Sequence, residues 1–230
     1  MLYEIFYYVN KFLGYKFLPK GSDLCSCLFL RKINKLNKKD NFSLDMKLIM
    51  KGLLFAKAYH GRQRRKSGEL YYHHPVIVAG LVSDHSFKTE TIITALLHDK
   101  IEDTALTKEI IEREFGAVVA NQVEALTRDK AHGKVSVRVI VQNAYDKKDD
   151  DLLIVKIFDR LHNMRTISAK SPASQYKTTI ETMVIFLPLA KYLKIPKIEK
   201  ELMQLCIATL KSLSTNLTQS YVFPYCGGIS

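Results

Sequence analysis

The sequence predicts an all-α fold. Along most of the chain, apolar residues recur at intervals of three and four, the spacing that places them on one face of a helix. There is no series of alternating apolar and polar residues typical of strands, no internal repeat and no glycine-rich phosphate loop. The 230 residues include only 10 glycines and 6 prolines, and 47% of them are hydrophobic. Length and composition therefore predict one soluble helical domain with at most an appendage.

The predicted elements begin after a poorly patterned, basic leader over residues 1–42. We expect this leader to be a solvated extension rather than a docking arm, because runs of charge usually face solvent. The first helix covers residues 43–59, where Met46, Ile49 and Leu53 share one face. Pro75 suits the first turn of a second helix, since an amide there would lack a helical partner. A third helix covers residues 91–101.

The remaining segments are also predicted to be helical. Residues 107–126 form two short helices, and the polar residues 127–134 have no predicted regular structure. Residues 152–158 are apolar enough for a buried strand, but they continue into apolar residues at helical spacing, which favours a helix. Beyond Pro172 a helical hairpin, broken near Pro188 and Pro196, extends to about residue 213.

The charge of the chain indicates an anionic partner. With 35 Lys+Arg against 23 Asp+Glu, the formal net charge is +12, which attracts nucleic acid, anionic lipid or phosphorylated nucleotides alike. The four cysteines form neither a zinc-ribbon pair nor a disulfide framework, so we expect a reducing, cytoplasmic compartment. Polar residues interrupt the apolar N-terminus before it reaches the length of a signal peptide or membrane span, and we expect no membrane association.

Titratable side chains cluster at the end of the third predicted helix. His98 and Glu102 are four residues apart, as are Asp99 and Asp103, so each pair shares a helix face. Burying such groups is costly unless they are hydrogen-bonded or bind a cation, and a divalent cation would hold His98 neutral and Asp99 ionised. An isolated His-Asp pair is more often a solvent-facing helix end, so both interpretations stay open for this segment alone.

Two further segments favour the metal-site interpretation. The first runs from residue 60 to His74 and Pro75, and the second covers residues 156–166 around Asp159. Together they add an imidazole, a carboxylate and several cations suited to phosphate. Two imidazoles and two carboxylates form a mixed nitrogen and oxygen set suited to manganese or a similar divalent ion.

These motifs resemble the hydrolase domain of the RelA/SpoT-homologue family, within the HD phosphohydrolase superfamily. The resemblance is carried, in the family's order and spacing, by H-x-x-Q-x-R-K-S-G-E at 60–69, His74-Pro75, L-L-H-D-x-I-E-D-T at 96–104 and D-R-L-H-N-M-R-T at 159–166. It covers about residues 48–170, and a weaker likeness to the connector of long family members follows. It implies an HD-domain helical bundle over residues 43–172, a C-terminal helical extension over residues 173–230 and no synthetase domain.

The resemblance also implies a site and a reaction. The family's metal ligands fall on His74, His98, Asp99 and Asp159, and its water-activating acidic pair falls on Glu102 and Asp103. Arg65 matches the residue that stacks on guanine, and contacts to sugar and phosphates fall on Lys66, Ser67, Asn163 and Thr166. The implied reaction is Mn²⁺-dependent removal of the 3′-diphosphate of the guanosine alarmones ppGpp and pppGpp, leaving GDP or GTP and pyrophosphate.

Several residues are expected to take no part in this reaction, and others differ from the family's sequence pattern. Because neighbouring residues on a helix point about 100° apart, we expect His73 and His162 to be surface or packing residues, and His60 to be structural. Lys100 should project away from the ligands, since a nearby cation weakens metal binding. Leu70 and Phe158 replace a proline and a small residue of the family pattern, which predicts a narrower pocket and an altered substrate preference.

Three alternative functions remain open. The chain could be an HD phosphohydrolase for another nucleotide, or a catalytically silent alarmone-binding regulator, although intact Glu102 and Asp103 argue against the second. Nucleic-acid binding through the basic leader is the third, and the absence of a recognised binding motif disfavours it. The candidate protein partners are a synthetase-bearing paralogue and a second copy of the chain.

Overall fold

The computed structural model describes residues 23–39, 43–65, 68–99, 105–127, 129–130 and 133–220. These residues are mainly helical, as predicted, and they divide into two compact units after His162. The helices that begin in the first unit are α1 (Leu24–Lys39), α2 (Met46–His60), α3 (His73–Val82), α4 (Thr89–Leu97), α5 (Lys108–Phe115), α6 (Ala117–Leu126), α7 (Val137–Asp146) and α8 (Asp150–Arg165). Among the described residues, no helix has both the length and the apolar character that a membrane crossing requires.

Helix α4 lies at the centre of the first unit, where it packs against α2, α3 and α6. Eight of its nine residues are buried, and only Glu90 is exposed, so the helix is enclosed on nearly every face. Gly52 allows α2 to pack closely against α4, because a Cβ atom at this position would lie only 3.3 Å from Leu96 Cδ1. Helix α4 ends at Leu97, directly before the predicted ligands His98 and Asp99.

Helix α1 contradicts the prediction of a solvated leader, at least for the described residues 23–39. Phe29 and Ile33 are buried, and the helix packs against α3. Asp23 caps its first turn, because the Asp23 carboxylate accepts hydrogen bonds from the Ser26 amide at 3.0 Å and from the Ser26 hydroxyl at 2.9 Å. In the middle of the helix, Lys32 donates to the Gly80 carbonyl and pairs with Asp84 at 2.6 Å. The leader prediction is therefore wrong for this segment.

The middle of the first unit contains both confirmed and unpredicted elements. Helices α5 and α6 confirm the predicted pair of short helices, and they are separated at Gly116, whose φ of +90° favours glycine. Strands β1 (Asp129–Lys130) and β2 (Gly133–Lys134) form a short antiparallel pair that the sequence did not predict. Helix α7 was not predicted either, and helix α8 confirms helix over strand for residues 152–158.

The second unit contains the end of α8, a 3₁₀ turn and the predicted helical hairpin. Its further elements are the 3₁₀ turn Ile167–Ala169, α9 (Pro172–Glu181), a π-helical turn (Thr182–Phe186), α10 (Leu187–Tyr192) and α11 (Pro196–Ser220). The π-helical turn leads into α10, whose first turn holds Pro188, where a missing amide hydrogen is tolerated. Helix α11 extends to Ser220, past the predicted end near residue 213.

Candidate metal centre

Three elements of the first unit bring the four predicted ligands together. His74 lies in the first turn of α3, His98 and Asp99 follow α4, and Asp159 lies in α8. His74 Nε2 is 3.2 Å from Asp159 Oδ1 and 3.4 Å from Asp99 Oδ2. His98 Nε2 is 3.1 Å from Asp99 Oδ1 and 3.7 Å from Asp159 Oδ1. Ligand atoms of His74, His98 and Asp99 lie within 4.8 Å of one another, a group that could hold a metal ion, and Asp159 Oδ1 lies against both imidazoles.

Both imidazoles are buried and turn the same ring nitrogen towards the carboxylates. His74 and His98 are each 2% exposed. The Nδ1 atom of His98 lies 2.8 Å from the Ala95 carbonyl oxygen, which can only accept, so Nδ1 carries a hydrogen. In the neutral ring that a metal would bind, Nε2 therefore has the lone pair. Within the described part of the chain, His98 Nε2 is buried and makes no hydrogen bond of normal geometry. A buried nitrogen of this kind fits a metal ligand.

The cluster is strongly coupled electrostatically. Burial alone would lower the pKa of His98, but the charges of Asp99 and Asp159 outweigh it and raise that pKa to about 10. Burial likewise raises the pKa of Asp99, yet His98 and His74 hold it well below its usual range. Two carboxylates thus stay ionised in a buried site, and they attract positive charge.

Lys156 gives the two oxygens of Asp159 different partners. It lies one helical turn before Asp159 in α8 and is 6% exposed. Its Nζ atom is 3.3 Å from Asp159 Oδ2, whereas Asp159 Oδ1 faces the two imidazoles. The charge of Lys156 is the leading influence that lowers the pKa of Asp159 against the effect of burial. Asp159 is therefore oriented to offer one oxygen to the cluster.

His162 is a site residue that sequence reasoning missed. The sequence predicts a surface or packing role, but His162 is 5% exposed and its Nδ1 atom lies 2.7 Å from Nδ1 of His74. Its spacing of three residues after Asp159 could have indicated a shared helix face. By contrast, His73 lies 3.5 Å from Asp23, and His60 contacts Gln63 at 3.1 Å, as expected for residues outside the cluster.

The structure describes only some of the predicted substrate and catalytic residues. Arg65 is half-buried, with NH1 3.4 Å from His162 Nδ1 and its guanidinium 5.9 Å from the centre of the Tyr71 ring. Asn163 and Thr166 belong to the second unit. The predicted residues that lie outside the described part of the chain are Lys66, Ser67, Lys100, Glu102 and Asp103.

The two departures from the family pattern lie in different surroundings. Leu70 is half-buried and pairs with Arg64 across a short β-bridge in the loop before α3. Phe158 is 1% exposed, and its ring lies 4.9 Å from the ring of His85. Phe158 is therefore part of the packed core of the first unit. The effect of either residue on substrate preference stays a prediction.

Comparisons with known proteins show the family of the chain. A model of the HD domain family matches residues 53–195. A protein of Synechocystis sp., named as a guanosine-3′,5′-bis(diphosphate) 3′-pyrophosphohydrolase, is 36% identical over 89% of this chain and 28% of its own length. A chloroplastic protein of Arabidopsis thaliana, named as a GTP diphosphokinase, is 39% identical over 69% of this chain and 20% of its own length. The chain thus spans less than a third of each of these relatives.

A solved structure is similar in fold. It belongs to a metazoan orthologue of SpoT that is described as hydrolysing ppGpp and as having a role in starvation responses. The two chains share 22% identity, with a TM-score of 0.56 over 69% of this chain and 93% of the other. This likeness supports the helical architecture.

Proposed function

Because the chain belongs to the HD-domain family, we propose that it hydrolyses the guanosine alarmones ppGpp and pppGpp, releasing pyrophosphate and leaving GDP or GTP. The observation that carries the proposal is the convergence of His74, His98, Asp99 and Asp159 from three elements of the first unit. The name of the Synechocystis relative supports the choice of substrate. We further propose that the enzyme acts in the cytoplasm, and that residues 43–172 form the hydrolase domain and residues 173–230 its extension.

These four residues fit a divalent cation, and we propose Mn²⁺. Two neutral imidazoles and two carboxylates suit manganese, and they leave coordination positions for water and substrate. His98 offers a buried Nε2 atom, and Asp159 offers one oxygen while Lys156 faces the other. When bound, the ion supplies Lewis-acid chemistry, because it stabilises negative charge on phosphate oxygens and makes a water molecule more acidic.

The protein's own residues would divide the rest of the reaction. Glu102 and Asp103 orient the attacking water and take its proton. The water forms a bond to the phosphorus attached to the 3′-oxygen, the bond between that phosphorus and the 3′-oxygen breaks, and the 3′-oxygen takes up a proton as pyrophosphate leaves. Lys66 and nearby arginines stabilise the charge that develops on the phosphate oxygens.

Substrate recognition would combine stacking with polar contacts. Arg65 presents a planar guanidinium group, which can stack on guanine, near the candidate metal centre. The spacing of Lys66, Ser67, Asn163 and Thr166 in the family motifs supports their role around the sugar and phosphates. The net charge of +12 favours the approach of a nucleotide that carries two diphosphates.

The decisive test is hydrolysis of ppGpp in the presence of Mn²⁺, followed through release of GDP and pyrophosphate. Asp99→Ala removes a predicted ligand, and Asp146→Ala provides a matched loss of an exposed carboxylate in α7. We expect activity in the wild type and in Asp146→Ala, and background rates in Asp99→Ala and with a chelator. Loss of activity both in Asp99→Ala and with the chelator would exclude a contaminating phosphatase as its source.

Two outcomes would redirect the proposal. A folded, Mn²⁺-loaded protein that binds ppGpp without turning it over would instead be an alarmone-binding regulator. Faster hydrolysis of a nucleotide without a 3′-diphosphate, such as GTP or dGTP, would keep the phosphohydrolase chemistry but overturn the alarmone as its substrate.

A further inference from the structure

We propose that His162 is a positioning residue of the metal centre, which holds His74 in the tautomer and orientation needed to bind the cation. The inference rests on the proposed function, because it assigns His74 as a ligand. Its basis is a short contact between two buried imidazoles, in which His74 Nδ1 lies 2.7 Å from His162 Nδ1.

The neighbouring arginine indicates which ring donates. A guanidinium group has only donors, and NH1 of Arg65 lies 3.4 Å from the same Nδ1 atom of His162. A hydrogen on that nitrogen would point towards the positive charge of Arg65, so we assign it a lone pair instead. Since one of the two Nδ1 atoms must donate in a contact of 2.7 Å, the hydrogen lies on His74. In a neutral ring, this leaves the Nε2 atom of His74 with its lone pair.

The tautomer matters because of what His74 Nε2 faces. This atom lies 3.2 Å from Asp159 Oδ1 and 3.4 Å from Asp99 Oδ2, at the centre of the cluster. His98 is arranged in the same way, except that its Nδ1 atom faces the carbonyl oxygen of Ala95. One predicted ligand is thus held by the backbone and the other by a side chain. Ligating histidines commonly donate their second ring N–H to such an acceptor, which fixes the ring and raises its basicity.

Helix α8 makes this arrangement rigid. His162 follows Asp159 by three residues, so the helix presents a predicted ligand and the acceptor for another ligand on one face. His162 is 5% exposed, which leaves little room for other ring orientations. We therefore expect the hydrogen bond to persist when the cation binds.

Two substitutions separate the hydrogen bond from packing. His162→Phe keeps a ring of similar size but removes the acceptor. His162→Asn can place an amide oxygen where Nδ1 now lies, since both atoms are attached to Cγ. His85→Phe is the control for losing a histidine, because His85 is exposed and takes no part in the proposed metal centre.

The measurement is Mn²⁺ affinity in the absence of nucleotide, from the electron paramagnetic resonance signal of the free ion. We expect His162→Phe to weaken binding by about 10–100-fold, the usual effect of losing a partner of a metal-ligating histidine. His162→Asn should regain most of the affinity, and His85→Phe should match the wild type. At saturating Mn²⁺, His162→Phe should recover much of its hydrolytic rate.

The possible results separate this inference from the proposed function. Wild-type affinity in a folded His162→Phe protein would overturn the positioning role, whatever the rate of hydrolysis. Equal weakening by Phe and Asn, with unchanged thermal stability, would also overturn it, because the acceptor would then not matter. Weaker binding that Asn restores would support it even if ppGpp proved not to be the substrate. A wild type that binds no Mn²⁺ would overturn both proposals.

Discussion

Replacement of Asp23 by alanine tests whether helix α1 is an integral part of the first unit. The Asp23 carboxylate caps α1 through the Ser26 amide at 3.0 Å and pairs with Lys57 of α2 at 2.8 Å. It also accepts a hydrogen bond from the hydroxyl of Tyr72, directly before α3. One side chain thus joins the start of α1 to two other elements of the unit.

The expected loss can be estimated from these three contacts. Removal of a helix cap costs about 1 kcal/mol, and loss of a hydrogen bond to a charged acceptor costs about 1–2 kcal/mol. The pair with Lys57 is partly exposed and contributes at most about 1 kcal/mol. We therefore expect Asp23→Ala to lower the free energy of unfolding by about 2–4 kcal/mol. Asp23→Asn keeps a capping oxygen but removes the charge, so it should cost only about half as much.

The effect should also depend on pH. Burial tends to raise the pKa of Asp23, but Lys57, Tyr72 and Ser26 together hold it well below its usual range. The pKa of Asp23 is therefore lower in the folded state than in the unfolded chain, where it is about 4. Ionised Asp23 stabilises the folded protein fully at pH values above that unfolded pKa. This contribution is lost as the pH falls further. The gap between wild type and Asp23→Ala should therefore be constant near neutrality and shrink below about pH 4.

Urea unfolding followed by circular dichroism measures both variants against the wild type. If the free energy of unfolding of Asp23→Ala stayed within about 0.5 kcal/mol of the wild-type value, the usual range for an unimportant surface position, α1 would not be held as described. A loss for Asp23→Asn equal to that for alanine would show that charge, rather than capping, dominates.

Three further predictions concern the packing of the first unit. Partial burial and the charges of Asp23 and Glu69 raise the pKa of the half-buried Cys25 thiol from 9.0 to about 11. Iodoacetamide should therefore modify Cys25 about 100-fold more slowly at pH 8 in the folded protein than in urea. Equal rates by mass spectrometry would show that the fold does not raise the pKa of this thiol. Phe158→Ala should lower the free energy of unfolding by about 3–5 kcal/mol in urea titrations, and a loss below about 1 kcal/mol would show that the ring does not fill the core. Gly52→Val should cost about 1–3 kcal/mol, because the new Cβ would lie 3.3 Å from Leu96 Cδ1; an unchanged melting temperature would mean that α2 and α4 separate easily.

The elements that the sequence did not predict have short or divided apolar faces. In α1 the buried residues Ser26, Phe29 and Ile33 follow helical spacing, but Leu24 and Leu28 are exposed on the same helix. Because apolar residues lie on two faces of α1, its sequence shows no single apolar stripe from which the helix could be predicted. Helix α7 buries only Val137, Ile140 and Ala144, a face of three residues. Both helices are fixed by tertiary packing rather than by their own pattern.

The candidate site was predictable in composition but not in its hydrogen bonds. The motifs indicated His74, His98, Asp99 and Asp159, and the structure brings these residues together, although their role as ligands stays a prediction. The part played by His162 depends on a distance to a ring 88 positions earlier in the chain. Sequence spacing can place a side chain on a helix face, but it cannot show which ring nitrogen meets which partner.

The distribution of the candidate ligands along the chain couples metal binding to folding. His74 and Asp159 lie on different helices, far apart in sequence, so no short peptide and no unfolded chain can hold this cluster in place. An ion that binds only the folded form stabilises it by mass action, by about 2.7 kcal/mol when its free concentration is 100 times the dissociation constant. Without the ion, the imidazoles and Lys156 are the positive groups among the described residues that lower the pKa values of Asp99 and Asp159. The concentration of free metal ion in the cell would then set the stability of the folded protein as well as its rate of hydrolysis.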